Sequence, residues 1–445
     1  MVFPVFGGDL LSDILGLILK SSDLYLRTSR AISVDNGKVR IMGGHEINNF
    51  YVIAIGKGSI GMAKAIEDAA YDKIIDGIAV VPRGGTPGNL RKIRILESTH
   101  PLPTEASINA GLEILDLISN VRSGDYVLFL ISGGGSALVE VPIRGLSLED
   151  IREVNNLLLR SGTTIHEINT VRKHLSMTKG GRLAREVVKR GGKVITLIAS
   201  DVPGDDPATV ASGPTVPDPT TYRDAIAILR NRGGLWDKVP GTVKDILEQG
   251  LKGVIEETPK ELTNTWNYVI ASNMDVLTDL ANYAKSLGME SLILTSRMDG
   301  GEAREVGRYL ASIALEARFR GGVPIKRGGL ILSGGEPTVT VVGNGRGGGR
   351  TTEMCTGFAL SVRGGVDGVS MISIATDGID GNMDAAGCVA DGHLIEEAMK
   401  LGIDPIGELR NNNTAVIFEK TNTIIRTGWT GSNLNIVTAI FVSSH

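Results

Sequence analysis

Continuous apolar runs alternate with amphipathic stretches along the first half of the chain. Helical periodicity comes first, from about residue 9 to residue 32, and apolar strand-like runs follow at 50–55, 78–82, 125–131 and 193–199. Stretches with apolar residues three and four positions apart separate these runs, at 59–70, 104–120, 147–160 and 167–189. Fully apolar strands that alternate with amphipathic helices are typical of a parallel sheet with helices on both faces. The pattern predicts a Rossmann-like α/β domain.

A second α/β series follows a polar stretch at 236–264, which has two prolines and one weak helical pattern. Its strand-like runs lie at 267–271, 291–295, 329–333, 338–342, 369–375 and 434–442. Its helix-like stretches lie at 273–287, 301–319 and 351–362. We therefore predict two domains, 1–235 and 265–445, joined by a linker region at 236–264, with a ligand cleft between them.

Composition narrows the class of protein. A chain of 445 residues is too long for one ordinary core, and its 58 glycines, about 13%, exceed the usual ~7%. A formal charge of −4 without a basic tail argues against nucleic-acid binding. Cys355 and Cys388 are the only cysteines, which favours a reducing compartment. Because no apolar run reaches the ~18 residues that a membrane span requires, we expect a cytoplasmic protein without membrane contact.

One glycine-rich turn, at 343–350, lies between a strand-like and a helix-like stretch. Five glycines and two arginines fill its eight positions. Glycine lets the backbone approach a ligand with successive N–H groups, and the following helix start adds partial positive charge. Gly347, Gly348 and Gly349 are thus candidate phosphate-binding residues, and the guanidinium of Arg350 is a candidate catalytic cation.

Three acidic residues lie next to predicted strands. Asp377 lies in the turn at 375–381, and Asp201 begins just past the strand at 193–199, where α/β folds bind ligands. Both are candidates for a metal ion or a substrate hydroxyl. Glu336 lies at a strand–turn–strand junction and is a candidate substrate-binding residue, although a simple hairpin turn around Pro337 is an equal alternative.

A second glycine turn, at 56–61, matches the G-x-G-x-x-G dinucleotide fingerprint in pattern and setting. An NAD site requires an acidic residue ~20 positions further along the chain. Residues 80–83 read Val-Val-Pro-Arg, so this acidic residue is missing. Arg83 could instead meet the 2′-phosphate of NADP, which keeps dehydrogenase chemistry as an alternative. Lys57, inside the turn, could reach a phosphate oxygen or a substrate carboxylate. The alternative for Lys57 is an exposed turn lysine.

A third glycine turn follows the strand at 125–131. Gly133, Gly134, Gly135 and Ser136 could present their N–H groups to an anion at a helix start, with a close-packed crossover as the alternative. The basic residues at 172, 173, 179 and 182 are more typical of a solvated helix face. His100 and His174 are interpreted as structural rather than catalytic, and no spacing of histidines or cysteines indicates zinc.

Taken together, these blocks resemble the class II glycerate kinases (glycerate 2-kinases) of the MOFRL family. The matching segments follow the family order along nearly the whole chain, at 56–63, 100–107, 132–138, 168–176, 179–184, 200–205, 212–221, 333–341 and 375–381. Two segments depart from the family pattern. Thr351 and Thr352 replace Asn and Gln after Arg350, and Trp429 replaces a proline near the C-terminus.

The resemblance implies an N-terminal α/β domain, a smaller C-terminal MOFRL domain and an active site in the cleft between them. It also implies ATP-dependent phosphorylation of D-glycerate, usually at the 2-hydroxyl, with Mg²⁺, and it makes Lys57 and Arg350 the catalytic cations. Two alternatives stay open: an NADP-dependent hydroxypyruvate reductase, and a regulator that binds a sugar phosphate without turnover. The expected partners are D-glycerate and a nucleotide, and the oligomeric state is open, with a homodimer as one alternative.

Overall fold

The computed structural model describes residues 8–84, 89–320, 322–326, 328–364 and 366–443. Contacts divide the chain into two compact units. We call residues 24–200 and 205–270 the N-terminal unit. The C-terminal unit collects the stretch up to Asp23, the short segment Asp201–Gly204 and the chain from Ala271 onward.

The elements alternate along both units. The helices are α1 (Gly8–Ser22), α2 (Leu24–Ala31), α3 (Ser59–Ala70), α4 (Glu105–Ser119), α5 (Gly135–Leu138), α6 (Leu148–Arg160), α7 (Ile165–Lys173), α8 (Arg182–Lys189), α9 (Tyr222–Asn231), α10 (Leu235–Lys238), α11 (Gly241–Leu251), α12 (Asn273–Ser286), α13 (Ala303–Arg320), α14 (Arg350–Val362), α15 (Leu394–Lys400), α16 (Pro405–Arg410) and α17 (Ala415–Lys420). The strands are β1 (Ile32–Asp35), β2 (Lys38–Ile41), β3 (His45–Ile47), β4 (Phe50–Ile55), β5 (Ile74–Pro82), β6 (Ile93–Ser98), β7 (Tyr126–Ile131), β8 (Lys193–Ala199), β9 (Thr265–Ala271), β10 (Ser291–Glu302), β11 (Gly329–Thr338), β12 (Val369–Ala375), β13 (Gly387–Asp391), β14 (Ile424–Ile425) and β15 (Ile436–Val442).

The N-terminal unit is built on a six-stranded sheet in the order β6-β5-β4-β7-β8-β9, in which β6 to β8 pair in parallel. Every residue of β4 is buried, which explains its unbroken apolar run. From β4 the chain first moves outward through β5 to β6 and then returns to the other side at β7. Because parallel crossovers are right-handed, this reversal puts the connecting helices on opposite faces. The predicted Rossmann-like α/β fold is confirmed.

The C-terminal unit is built on a mixed sheet in the order β10-β11-β15-β12-β13-β14. Strands β10 and β11 are parallel, whereas β15 pairs antiparallel with both β11 and β12. A core of small and apolar side chains from α13 and α14 covers this sheet, including Ala311, Phe358 and Ala359. Of the helices in the described part of the chain, none combines the length and the apolar character that a membrane span needs.

The structure differs from the predicted elements in five places. The edge strand β6 and the small sheet β1-β2-β3 were not predicted, because their alternating polar residues hide them. The helix predicted at 167–189 is two helices, since Gly180 and Gly181 both have positive φ. The strand predicted at 267–271 forms the edge of the first sheet, not the start of the second. The strand predicted at 338–342 is wrong beyond Thr338.

The limits of the two compact units differ from the predicted boundary at 236–264. In that stretch α11 buries Val243, Ile246 and Leu247 in the same core as α9, within the N-terminal unit. In contrast, Asp201–Gly204 and α1 group with the C-terminal unit. The ligand cleft predicted between the domains stays a prediction.

Candidate active site

The glycine turns of the N-terminal unit lie side by side at one edge of its sheet. Strands β4 and β7 are parallel neighbours, and the strand order reverses between them, so their carboxyl ends form the switch point at which open α/β sheets bind ligands. Two hydrogen bonds connect the turns here. The backbone N–H of Lys57 donates to Gly133 O (2.9 Å), and the backbone N–H of Gly58 donates to Ser132 Oγ (3.0 Å). The structure therefore places Lys57 beside the predicted anion nest.

The nest itself is open. In the described part of the chain, the backbone N–H groups of Gly133, Gly134, Gly135 and Ser136 have no hydrogen-bond acceptor. Gly134 adopts a left-handed conformation with φ +82°, which turns successive N–H groups toward one side. A Cβ at Gly134 would lie 3.1 Å from Lys57 Cγ and 3.2 Å from His100 Cδ2. Glycine here thus allows a lysine stem and an imidazole to pack on the nest.

His100 is a site neighbour that the sequence interpretation treated as structural. Part of its side chain faces solvent. Nevertheless, desolvation by the surrounding protein and repulsion from Lys57 lower the pKa of His100 to about 4. The imidazole is therefore neutral at pH 7 and can exchange a hydrogen bond with a substrate hydroxyl. His100 lies two positions after the end of β6, and because β6 was not predicted, no pattern in the sequence pointed to this position.

A strained loop supports the other end of the nest. The Ser136 hydroxyl lies 2.8 Å from Ser212 Oγ, which donates to Asn169 Oδ1 at 3.0 Å. Ala211 and Ser212 have φ values of +50° and +61°, in the left-handed region that costs non-glycine residues free energy. Such strain is typical of functional sites, and the contact with Ser212 connects Ser136 to this loop.

The basic residues of the 168–184 segment are engaged within the N-terminal unit rather than solvated. Lys179 is fully buried and pairs with Glu140 at 2.7 Å, and Lys173 lies 3.5 Å from Asp218. Arg172 donates to Asn155 Oδ1 at 2.7 Å, and Arg182 donates to the Tyr222 hydroxyl at 3.3 Å. These cations stabilise the loops behind the site.

The glycine turn of the C-terminal unit is occupied by the protein itself. The carboxylate of Asp380 accepts the backbone N–H groups of Thr351 (3.0 Å) and Thr352 (3.2 Å) and the hydroxyl of Thr351 (2.6 Å). The N–H of Gly348 bonds Asn382 Oδ1, and that of Gly349 bonds Thr352 Oγ1. Asp380 is thus the anion at the start of α14. Its burial raises the pKa of Asp380, and the hydrogen bonds from Thr351 partly oppose this.

Close packing explains several glycines of this turn. A Cβ at Gly343 would lie 2.4 Å from Asn411 Cα, and one at Gly349 would lie 2.4 Å from Asp380 Cγ. At Gly348 it would lie 2.7 Å from Thr414 Oγ1. Gly347 has more room, with Ala415 Cβ at 3.3 Å. These glycines let neighbouring segments of the protein approach, and phosphate binding by Gly347, Gly348 and Gly349 stays a prediction.

Arg350 and Glu336 lie together at the edge of the same turn. Arg350 Nη1 donates to Glu336 Oε1 at 2.5 Å, and both side chains are about two-fifths exposed. An exposed ion pair contributes little to stability, so a ligand phosphate can replace the carboxylate at little cost. The arrangement leaves the guanidinium accessible.

The two predicted metal-binding acids also belong to the C-terminal unit. Asp201 Oδ2 accepts from Asn433 (3.1 Å), and the Asp201 carbonyl accepts from Asn435 (2.7 Å). Asn435 in turn accepts the N–H of Thr376, the neighbour of Asp377. Asp377 Oδ1 accepts the N–H of Ile379 at 3.1 Å. The described residues contain no group of three or more acidic, histidine or cysteine side chains that could hold a metal ion.

Two domain families match this chain. A domain of unknown function (DUF4147) covers residues 11–248, and the MOFRL family covers residues 329–436. A glycerate 2-kinase of Pyrococcus horikoshii is 41% identical over 436 residues, 97% of this chain and 96% of that protein. A crystal structure of glycerate kinase from Thermotoga maritima aligns with a TM-score of 0.84 at 36% identity, covering 98% of this chain and 100% of that one.

A further relative, in Agrobacterium vitis, carries the provisional name hydroxypyruvate reductase. It is 42% identical over 395 residues, which cover 88% of this chain and 86% of that protein. This provisional name does not by itself distinguish a reductase from a kinase.

Proposed function

Because the chain belongs to the MOFRL family of glycerate 2-kinases, we propose that it transfers the γ-phosphoryl group of ATP to the 2-hydroxyl of D-glycerate. The observation that best supports this function is the open nest of Gly133–Ser136 with Lys57 beside it at the switch point of the sheet. Four backbone N–H groups, a lysine and a neutral imidazole suit a small anionic substrate with a hydroxyl group.

In this proposal the nest holds an anionic group, either the glycerate carboxylate or a nucleotide phosphate. Lys57 supplies positive charge where negative charge accumulates in the transition state, and His100 orients the attacking hydroxyl. Phosphoryl transfer has a loose transition state, so that most of the catalysis comes from positioning and from charge stabilisation. The groups at this edge of the sheet can provide both.

Arg350 is the second proposed cation. Its guanidinium can bind phosphate oxygens through two parallel N–H donors once the exposed bond to Glu336 opens. Asp201 and Asp377 are the residues that would hold Mg²⁺. A nucleotide-bound Mg²⁺ needs only one or two carboxylates besides phosphate and water, so the lack of a larger acidic cluster among the described residues fits this role. Mg²⁺ would neutralise charge on the phosphates.

The reductase alternative is not favoured by the contacts of the 56–61 turn. A dinucleotide pyrophosphate needs the backbone N–H groups at the start of the helix. Here the N–H groups of Lys57 and Gly58 are already bonded to Gly133 and Ser132. These two N–H groups are therefore not available to a pyrophosphate.

The test is ³¹P NMR of the protein with ATP, Mg²⁺ and D-glycerate. We expect a new phosphomonoester signal coupled to the proton on C2, together with ADP. Coupling to the C3 protons would instead move the reaction to the 3-hydroxyl. NADPH consumption with hydroxypyruvate, without ADP formation, would overturn the kinase proposal in favour of the reductase.

A further inference from the structure

A pocket of about 440 Å³ opens beside Arg350, within the C-terminal unit. One wall consists of the segment after β11, with Thr338, Val339 and Val341. The floor is backbone at glycines 345, 348, 349 and 381, and the polar lining comes from Asn382, Glu353 and Asn412. Its volume lies within the range of about 300–1,000 Å³ that small-molecule sites occupy.

The polar end of the pocket contains a buried carboxylate with two partners in the protein. Glu353 is 1% exposed, and its Oε1 accepts from Asn412 Nδ2 at 2.6 Å. Arg304 Nη2 lies 2.8 Å from Oε2, but in the described part of the chain this oxygen has no hydrogen-bond donor of suitable geometry. Burial raises the pKa of Glu353, with the bond from Asn412 acting against it. The Glu353 carboxylate is thus a buried, fixed part of the polar end of the pocket.

The apolar wall is held in place by side chains. Asn412 Oδ1 accepts the N–H groups of Val342 (2.9 Å) and Gly343 (3.0 Å), and Gly345 donates to Asn411 O at 3.1 Å. Val341 is 64% exposed although it lines the pocket. These hydrogen bonds fix the shape of the pocket, and the side chain of Val341 stays exposed to solvent in its wall.

We propose that this pocket binds the nucleoside of the phosphoryl donor, with the phosphates extending to Arg350. This inference rests on the proposed kinase function, because that reaction needs a nucleotide. A nucleoside has an apolar ring face for the valine wall and polar groups for the exposed side chains of Thr338 and Asn382. Glycerate, a three-carbon acid, has neither the size nor the apolar surface for this pocket. The assignment leaves the nest of the N-terminal unit to an anion of either substrate.

Filling the pocket without disturbing the core tests the proposal. In Val341→Trp the indole would occupy the space of the nucleoside. The matched control is Val342→Trp, because Val342 is 73% exposed and does not line the pocket. By isothermal titration calorimetry without glycerate, we expect ADP to bind Val341→Trp about 10-fold or more weakly, and Val342→Trp within about twofold of the wild type.

Two further measurements sharpen the result. Tripolyphosphate, which lacks the nucleoside, should bind Val341→Trp and the wild type equally. In turnover assays the variant should raise KM for ATP and leave KM for glycerate unchanged. Thermal unfolding of both variants establishes that they are folded.

Equal ADP affinity of Val341→Trp and Val342→Trp would overturn the pocket assignment even if glycerate is phosphorylated. No ADP binding by the wild type would overturn it as well. If the wild type binds ADP but forms no phosphoglycerate, the proposed function fails, whereas a selective loss of ADP binding in Val341→Trp would still support the nucleoside pocket.

Discussion

The glycine turn at 132–136 and the glycine turn at 343–350 are both rich in glycine and both lie between a strand and a helix, but they differ in what binds their N–H groups. In the N-terminal unit the N–H groups of Gly133–Ser136 have no acceptor in the described part of the chain. In the C-terminal unit Asp380, Asn382 and Thr352 bind the equivalent groups. A glycine-rich turn therefore indicates a sharp change of direction, and an anion site requires in addition that the protein supplies no acceptor of its own.

The largest expected effects come from removing Lys57, which lies beside the first of these turns, and Arg350, the last residue of the second. Lys57→Ala and Arg350→Ala should each lower kcat by about 10²–10³, because a transition-state charge loses its partner. The matched controls are Lys64→Ala on α3 and Arg308→Ala on α13, whose side chains form surface ion pairs. Steady-state kinetics with ATP and D-glycerate measures the effect. Near-normal turnover of Lys57→Ala or of Arg350→Ala would remove that residue from the mechanism.

Asp380→Ala tests the occupied turn. Loss of the bonds to Thr351 and Thr352 should reduce the free energy of unfolding by about 2–3 kcal/mol, since a helix start loses its cap and its charged acceptor. Urea denaturation measures this, with the exposed Asp384→Ala as control. Sulfate should partly restore stability in Asp380→Ala only. Equal stability of the two variants would mean that Asp380 does not act as the internal anion.

Gly134→Ala tests the open turn, with Gly124→Ala as a matched control. Both glycines have positive φ, +82° and +90°, so each substitution should cost about 1 kcal/mol of stability. Only Gly134 adjoins Lys57 and His100, whereas a Cβ at Gly124 meets nothing within 4 Å. We expect kcat/KM for glycerate to fall about 10-fold in Gly134→Ala alone. A similar fall in both variants would point to general destabilisation.

The smallest effect concerns acid stability. Burial would raise the pKa of Glu257, but the hydrogen bonds from His174 and from the N–H groups of Tyr222 and Thr258 outweigh it and lower the pKa to about 2. A carboxylate with a lowered pKa stabilises the fold above its unfolded pKa near 4.5, and this contribution disappears as pH falls toward 2. Asp380, in the C-terminal unit, has a raised pKa, so its protonation should not add to this loss.

The test of this prediction is a pH series of urea denaturation with Glu257→Gln. The variant should show a smaller loss of stability between pH 4.5 and pH 2 than the wild type does. Identical pH profiles would show that the contacts of Glu257 do not determine acid stability.

Prediction from the sequence succeeded where a local pattern determines the structure. Strands β4, β8 and β12 have the predicted bounds, because largely apolar runs are typical of strands that are buried on both faces. The edge strand β6 was not predicted because the solvent-exposed Arg94 and Glu97 interrupt its apolar run. The site residues near the glycine turns could be named, but the role of Asp380 could not. It lies about thirty positions from Thr351, and only the sheet topology brings the two together.

Helix α1 carries a consequence for synthesis of the chain. It buries Leu11, Ile14 and Ile18 within the C-terminal unit, where α1 packs against α12 and Asp13 accepts from Tyr283 at 2.5 Å. About 250 residues separate the two helices, so at 5–20 residues per second the ribosome needs about 12–50 s to deliver the partner. During that time the apolar face of α1 has no native cover. Nascent chains that stop before α12 therefore retain a helix whose apolar face is uncovered, a feature that favours aggregation of incomplete chains.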